Sequence, residues 1–431
     1  MLELLDLRER RERLEPRRLE PDPAVTEPVR ELIARVRSEG DAALVDLALR
    51  FDGADLRGTG LRATPAEFER AQVDVPEVLR VAIDDLIERV TDLHRRQLPP
   101  EWRDERGGTR FGEVVRPISA AGCYVPGGRA MYPSSVAMTV VPAVVAGVEE
   151  IVVCTPAGAD GSIPPAVLYA ALRAGATAVV KTGGAQAIAA MAFGTESVPA
   201  VDRIVGPGNA YVTEAKRQLN GLVGIDGLAG PSELTVVADA DADPELIAID
   251  LIAQAEHDPD ASTNLVATDA RLVERVAAAL AAEVVKAGRK EIVEQALTRN
   301  RAYLVADLEQ ATDAVNDLAA EHLQVLVADP RGFVAGVRNA GAIFLGPWTA
   351  VPFGDYGVAS NHVLPTAGTA RFASGVRAAD FVTVSSVIEM DPGAVRELSP
   401  SVVAIAESEG LVGHARAVRV RDERVVEGGD A

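Results

Sequence analysis

An alternation that begins near residue 113 constrains this chain more than any other feature. Short Val- and Ile-rich runs at 151–154, 178–180, 203–205 and 222–225 alternate with Ala-rich stretches of helical length near 136–148, 164–174, 185–193 and 208–219. A parallel strand cannot follow its neighbour through a tight turn. Each intervening helix therefore implies a crossover onto a parallel sheet. The alternation restarts after Gly230-Pro231, with strands expected at 234–238, 265–268, 303–306, 325–328 and 342–345. A second, separate α/β domain is the simplest account. Residues 1–110 read as mostly helical and highly charged, with apolar residues at helical spacing over 29–49 and 81–93, until Pro99-Pro100 breaks the pattern. The tail beyond about residue 391 reads as helical, punctuated by Pro392 and Pro400.

The 431 residues suggest two or three domains. Aromatics are only 4% of the chain against a hydrophobic fraction of 48%, so the cores must rest on Val, Leu, Ile and Ala. Lys and Arg number 43 and Asp and Glu 64, a formal charge of −21 that repels phosphate backbones and argues against a nucleic-acid partner. Two cysteines make no disulfide framework and fit a reducing compartment. Cys154 lies in an apolar run and reads as core. Cys123 precedes a glycine turn; it is a candidate thiolate for trapping an aldehyde, but no neighbouring cation would lower its pKa, and a packing role is favoured. The N-terminus lacks an apolar targeting region, and no run approaches the ~18 apolar residues of a membrane span. The cytoplasm is the expected compartment, with no membrane partner.

Histidine is scarce: His94, His257, His322, His362 and His414 are all of them. Four lie in the second half, each near a carboxylate or an amide side chain. In the first cluster, Gln254-Ala255-Glu256-His257, a helix capped by Asp243 and started by Pro244 would put Asp250, Gln254 and His257 on one face. That stripe is either solvated surface or a metal site with His257 as nitrogen donor and Gln254 as an unusual oxygen donor. Glu321-His322 precedes an expected strand over 323–327. Side chains on adjacent residues point different ways, so the pair could handle two protons; the bland alternative is a helix end complemented by His322. Asp355, within Phe353-Gly354-Asp355-Tyr356-Gly357, and then Asn361-His362, read as a loop after a strand, where α/β proteins place sites. Glu409 and His414 fall on the expected tail helix and would be solvated if taken alone. Among glycine-rich turns, Tyr124-Val125-Pro126-Gly127-Gly128, Gly183-Gly184-Ala185-Gln186 and Gly206-Pro207-Gly208-Asn209 are candidates for phosphate contact, the last two between a strand and a helix. None is the G-x-G-x-x-G fingerprint.

As a set, these segments resemble the histidinol dehydrogenase family. The carriers are Gly122-Cys123-Tyr124-Val125-Pro126-Gly127-Gly128, Gly183-Gly184-Ala185-Gln186-Ala187-Ile188-Ala189, Gly206-Pro207-Gly208-Asn209-Ala210, Ala229-Gly230-Pro231-Ser232-Glu233, Gln254-Ala255-Glu256-His257, Glu321-His322-Leu323 and Asn361-His362-Val363-Leu364-Pro365-Thr366, in family order between about residues 110 and 414. Cys123 departs from the aliphatic residue common there, and the first hundred residues carry no matching motif.

The resemblance implies a four-electron, NAD+-dependent oxidation of L-histidinol to L-histidine through the aldehyde, at the end of histidine biosynthesis. It implies one zinc ion per subunit on Gln254, His257, Asp355 and His414, and substrate contacts from these four, Ser232, His322, His362 and Glu409. Tyr124, Gln186 and Asn209 would contact NAD+, with Glu321 and His322 as the acid-base pair. The expected architecture is α/β, with two Rossmann-like parallel-sheet domains and helical N- and C-terminal extensions. An arm would cover 1–20, a main domain 21–123 with 232–376, a cofactor-contacting domain 124–231, and a helical tail 377–431 would dock on the partner of a homodimer with shared active sites. Two rivals stand beside this reading: a zinc hydrolase, which would need no dinucleotide turns, and a two-lobed binding protein, which would need no Glu321-His322 pair.

Overall fold

The computed structural model describes all residues except 1, 11, 12, 16, 128–130 and 429–431. Gly128 of the first glycine turn lies outside the described residues. The chain divides into two compact units, Met1–Gln97 with Ile118–Phe381, and Leu98–Pro117 with Val382–Ala431.

The larger unit holds both expected parallel sheets. The five-stranded sheet runs Ala178–Lys181, Glu150–Thr155, Ala120–Tyr124, Arg203–Val205, Gly224–Ile225, with every pairing parallel. The chain winds outward from Ala120–Tyr124 on one side and then on the other, so the switch point lies between that strand and Arg203–Val205. The six-stranded sheet runs Glu3–Asp6, Arg301–Leu304, Ser262–Ala267, Glu233–Ala238, His322–Leu326, Ala342–Leu345, also parallel throughout. Its central strands are buried on both faces. Leu234, Val236 and Ala238 pack into one apolar cluster and Val237 into another, as continuous Val/Leu runs require in a doubly covered sheet.

One expectation about the N-terminal region needs correction. Residues 21–123 do not pack with the six-stranded sheet. Val29, Leu44 and Leu47 from helices Pro23–Glu39 and Asp41–Asp52 join one core of the five-stranded sheet, and Ile83, Leu86 and Val90 from Glu77–Arg95 join the other. The strand Ala120–Tyr124 is the centre of that sheet, not part of its neighbour. Residues 1–110 are mostly helical as expected, and within the arm Glu3–Asp6 adds an edge strand beside Arg301–Leu304.

The smaller unit is a three-stranded antiparallel sheet, Trp102–Arg106, Thr109–Pro117 and Val382–Met390, followed by helices Pro392–Ser408 and Val412–Gly428. The tail is therefore not a continuous helix from residue 377; a short 3-10 turn, Ala378–Phe381, leads into a nine-residue strand before its two helices. The two helices part at Gly410, whose φ of 75° is left-handed.

A buried ion pair braces the five-stranded sheet. Lys216, on helix Ala210–Leu219, donates to the Gly206 carbonyl at 2.6 Å and to Asp226 Oδ1 at 2.6 Å, while Asp226 Oδ2 accepts the Gly206 N–H at 2.7 Å. Gly206 has φ 120°, and a Cβ there would stand 2.0 Å from the Tyr124 carbonyl oxygen. No other residue fits this turn. Lys216→Met leaves Asp226 buried without its counter-charge, and should lower stability by about 3–5 kcal/mol. The readout is a reduced urea midpoint for Lys216→Met relative to the parent chain; an unchanged midpoint would show that the pair is not a brace.

Candidate active site

The starts of two adjacent parallel strands, Glu233–Ala238 and His322–Leu326, bring the central polar groups together. Their register pairs His322 with Leu234, so Ser232-Glu233 and Glu321-His322 lie side by side at the N-terminal edge of the sheet. The Glu233 N–H donates to Glu321 Oε2 at 2.9 Å, and the Ser232 hydroxyl also bonds to this carboxyl. His322 Nδ1 stands 3.2 Å from the Glu233 carbonyl oxygen. A carbonyl can only accept, so Nδ1 carries the proton and Nε2 keeps its lone pair. That Nε2 is buried with no hydrogen-bond partner. The Phe344 ring lies against the imidazole, centroids 5.9 Å apart.

Glu321 and His322 do not diverge as adjacent strand residues would. Glu321 precedes the first paired residue, and its Oε2 comes within 3.6 Å of His322 Nδ1. The pair sits at strand starts, whereas α/β proteins usually place sites at the carboxyl ends.

Burial governs the titration of this cluster. It pushes Glu321 up to about 8, against the stabilising bonds from the Glu233 N–H and Ser232. It pushes Asp355 up to about 6, with His322 opposing and Glu321 adding to the rise. Glu233 rises to about 7 through burial and the nearby Glu321 charge, with Arg17 and the Ala367 N–H opposing. Burial also lowers His322, His257 and His362, the last to about 4; His322 further depresses the other two, and His257 further depresses His362, while Asp355 and the Glu233 carbonyl raise His322. All three histidines are therefore neutral near pH 7 and free to act as nitrogen donors or bases.

His257 lies just beyond helix Pro244–Ala255 and is exposed. The helix forms as expected, with the Asp243 side chain accepting from Glu245 N–H. Gln254 is buried with its Nε2 unpartnered. Asp250 is instead satisfied by Gln324 Nε2 at 2.6 Å and belongs to the packing. Asp355 is on a short helix, Val351–Tyr356, where a loop was expected; Ser360 closes it with a bond to the Gly354 carbonyl. His362 is half-buried and follows Asn361, whose side chain is fixed by Met138 O at 2.7 Å, His94 Nε2 at 3.2 Å and the Val363 N–H at 2.8 Å. Among the described residues, no three His, Cys, Asp or Glu side chains are placed to hold a metal ion. His257 and Asp355 supply two such groups, and Gln254 is of another class.

A second polar group gathers at the switch point of the five-stranded sheet. The Tyr124 hydroxyl accepts the Gly184 N–H at 3.1 Å, and the Gln186 side chain folds against Gly184. Asn209 is exposed and caps helix Ala210–Leu219 by accepting from Tyr211 and Val212 N–H groups. Cys123 is fully buried, and burial pushes its thiol up to about 12, which rules out the aldehyde-trapping thiolate.

Glu409 and His414 belong to the smaller unit. Glu409 caps the end of helix Pro392–Ser408 and His414 sits on the next helix, and with Val402, Ile405, Leu411 and Val418 they line an apolar groove. Sequence reasoning assigned no role to Glu233, although it closes the Gly230-Pro231-Ser232-Glu233 motif. An acidic residue opening the apolar strand Glu233–Ala238 was the available signal.

Among the described residues, no helix is long and apolar enough to cross a membrane. The family model described as histidinol dehydrogenase matches residues 15–422. That span takes in most of the N-terminal region, where no motif was legible. The histidinol dehydrogenase of Halalkalibacterium halodurans is 48% identical over 400 residues, covering 92% of this chain and 94% of the relative. That of Moorella thermoacetica is 44% identical over 429 residues, covering 98% and 100%. The crystal structure of histidinol dehydrogenase from Elizabethkingia anophelis superposes with a TM-score of 0.93 at 32% identity, covering 98% of each chain. With two sheets, paired strand starts and a match over nearly its whole length, this chain belongs to the histidinol dehydrogenase family.

Proposed function

We propose that the chain oxidises L-histidinol to L-histidine, the closing steps of histidine biosynthesis, by two successive hydride transfers to NAD+. The observation that carries this reading is the unpartnered Nε2 of neutral His322 beside the buried carboxyl of Glu321. His322 Nε2 would take the hydroxyl proton as hydride leaves the alcohol carbon. Glu321, once ionised, would remove a proton from the water that adds to the aldehyde, and His322 would take the hydrate's hydroxyl proton as the second hydride leaves.

Two groups absent from the chain itself belong to this reading. The buried Gln254 side chain, through its amide oxygen, and the neutral His257 imidazole suit a zinc site completed by Asp355 and His414. Bound zinc would supply a template for the substrate's imidazole and amine, both good nitrogen donors. Ser232, His362 and Glu409 would hold the substrate. Tyr124, Gln186 and Asn209, gathered at a switch point beside a helix N-terminus, suit NAD+. The enzyme would work in the cytoplasm, where its two free, buried thiols stay reduced.

Glu321→Gln should retain much of the first hydride transfer and lose the second, whereas His322→Asn should damage both, each lost step by ~10²–10⁴-fold. Single-turnover NADH yield from L-histidinol measures this directly. Equal loss of both steps in Glu321→Gln would refute the division of labour.

Removing metal with a chelator should abolish NADH formation, zinc should restore it, and His257→Asn should need far more zinc for the same rate. Full activity in protein shown by elemental analysis to be metal-free would sink the template role.

His414 and Glu409 lie in the smaller unit, and the reading has them complete the site of a partner subunit in a closed dimer. His414→Ala and Asp355→Ala, each nearly inactive alone, should regain activity when unfolded together and refolded, because each heterodimer carries one intact site. If nothing returns, the site is built within one chain.

A further inference from the structure

Gln254 and His257 are the two zinc donors that the reading above takes from one short stretch of chain, and a helix end sets their relative placement. Helix Pro244–Ala255 carries Gln254 in its last turn and stops at Glu256, whose N–H turns back to the carbonyls of Ile252 and Gln254. The His257 N–H donates to the Gln254 carbonyl at 3.3 Å. The peptide unit between Glu256 and His257 is therefore tied to the first donor through its N–H and carries the second. Its carbonyl oxygen, that of Glu256, accepts from Arg289 Nη1 at 2.7 Å. A peptide unit is planar, so bonds at both its ends fix its orientation. That plane is one of the two that aim the His257 Cα–Cβ bond.

The far side of the loop is held as well. The Ala261 N–H donates to the Asp258 carbonyl at 3.0 Å, closing a turn over Pro259 and Asp260. Arg299 donates to the Pro259 carbonyl at 2.9 Å and meets the Asp260 carboxyl at 2.8 Å, and Arg17 Nη1 reaches the Asp260 carbonyl at 3.4 Å. Arg289 and Arg299 stand at the two ends of one excursion of the chain, helix Lys290–Ala296 with the 3-10 turn Leu297–Arg299. Val293, Ala296 and Leu297 of that excursion form a small separate core with Ala255 and Ala261, the buried residues on either side of the His257 loop. Among the described residues, the buried side chains of this excursion join no other core. Its packing and its two terminal arginines are thus directed at the loop that carries His257.

We propose that Arg289 is a positioning residue for the metal: by gripping the Glu256 carbonyl oxygen it holds His257 in the orientation that accepts zinc together with Gln254. The proposal rests on the reading of Gln254 and His257 as zinc donors. Donors bind an ion tightly only where they are held in place before it arrives, and groups that orient them typically carry a roughly 10–100-fold share of the affinity. Arg289 exerts two effects of opposite sign. Burial and His322 do most to lower the His257 pKa, Glu256 opposes them, and the Arg289 cation adds to the fall. As a bare charge near His257 it works against a bound cation. As a grip on the main chain it favours one. Arg289 is only half-buried, so solvent and salt screen its charge, whereas the short bond to the carbonyl is not screened away. The grip is the larger effect.

The test is the zinc affinity of the full chain, stripped of metal and titrated with zinc against a chromophoric chelator, in the parent and in Arg289→Met, Arg289→Lys, Arg275→Met and His257→Asn. Arg289→Met removes the donors and keeps the apolar stem, and its Kd for zinc should rise by roughly 10-fold or more. Arg289→Lys keeps a donor for the carbonyl and should recover most of that loss. Arg275 makes the same kind of bond, from Nη2 to the Ala240 carbonyl at 2.8 Å, beyond the carboxyl end of strand Glu233–Ala238 and away from the site. Arg275→Met should therefore leave the Kd unchanged. Unchanged zinc binding in Arg289→Met would overturn the proposal, and so would tighter binding, which would show the charge alone at work. Equal weakening in Arg289→Met and Arg275→Met would mark a general loss of stability and overturn it too. Should Arg289→Met not fold, Arg289→Gln, polar but too short to span the bond, takes its place with the same expectation. If His257→Asn binds zinc as the parent does, the zinc assignment falls and this proposal with it. If His257→Asn weakens zinc and Arg289→Met does not, this proposal falls alone.

Discussion

One peptide unit pair at the start of strand Glu233–Ala238 holds the Glu321 and His322 side chains, and the rest of the candidate site depends on it. The Glu233 N–H fixes the Glu321 carboxyl and the Glu233 carbonyl fixes the His322 tautomer. Neither bond comes from a flexible side chain. Both follow from the parallel register that sets His322 opposite Leu234. A slip of one residue in that register would turn His322 to the other face and separate the pair. Backbone geometry within a sheet buried on both faces is among the stiffest supports a protein offers, and it leaves His322 Nε2 as an aimed lone pair with no competing partner.

Placing these groups at strand starts leaves the strand ends of the other sheet for a different task. In the five-stranded sheet, Tyr124, Gly184 and Gly206 converge where the winding reverses, the position at which doubly wound sheets open a crevice. The segment that joins the two regions is the loop through Asn361 and Thr366. Asn361 is tied to helix Pro133–Ala146 through Met138 O and to helix Glu77–Arg95 through His94, while Thr366 is tied to Gly230. Val363, between them, is buried in the five-stranded sheet's core. His94 must be neutral for this arrangement, since Asn361 Nδ2 donates to its Nε2; burial, which lowers its pKa to about 4, keeps it so. The one histidine that sequence context left without a task is a structural clasp next to His362.

What was legible in the sequence follows the physics of burial. Arg203–Val205 and Ala342–Leu345 form over the spans expected, and the other buried strands lie within a few residues of expectation, except the central strand Ala120–Tyr124, where no strand was expected. A strand covered on both faces must be a short apolar run, and this chain supplies few aromatics to blur that signal. The three antiparallel strands were not legible. Trp102–Arg106 is exposed along its whole length, and Val382–Met390 nearly so, so neither carries an apolar period. The edge strand Glu3–Asp6 is four residues with no buried position. The docking of the N-terminal helices on the five-stranded sheet depends on contacts far apart in sequence, such as Tyr169 with Asp84, and periodicity says nothing about these. Within the site, the residue types stood out through their scarcity and company. Glu233 did not, because its importance comes from what its main chain and buried carboxyl touch.

The two classes of buried ionisable group in this chain separate scaffold from site. Lys181 meets Glu67 at 2.6 Å, and Lys216 meets Asp226 at 2.6 Å with further bonds to the main chain. Each buried charge there has its opposite beside it, which offsets much of the desolvation cost. Among the described residues, Glu321 and Asp355 have no such match, and Glu233 has only Arg17 at 4.0 Å; burial raises all three carboxyls. Three acids so arranged weaken the fold at any pH where they ionise together, because mutual repulsion adds to lost hydration. Strained Ala367 adds to that cost in the same place. A sequence selected only for stability would replace any of the three with an amide or an apolar side chain. Their joint presence keeps protons available at pH values where free carboxyls have already lost theirs, and that makes this cluster the candidate site.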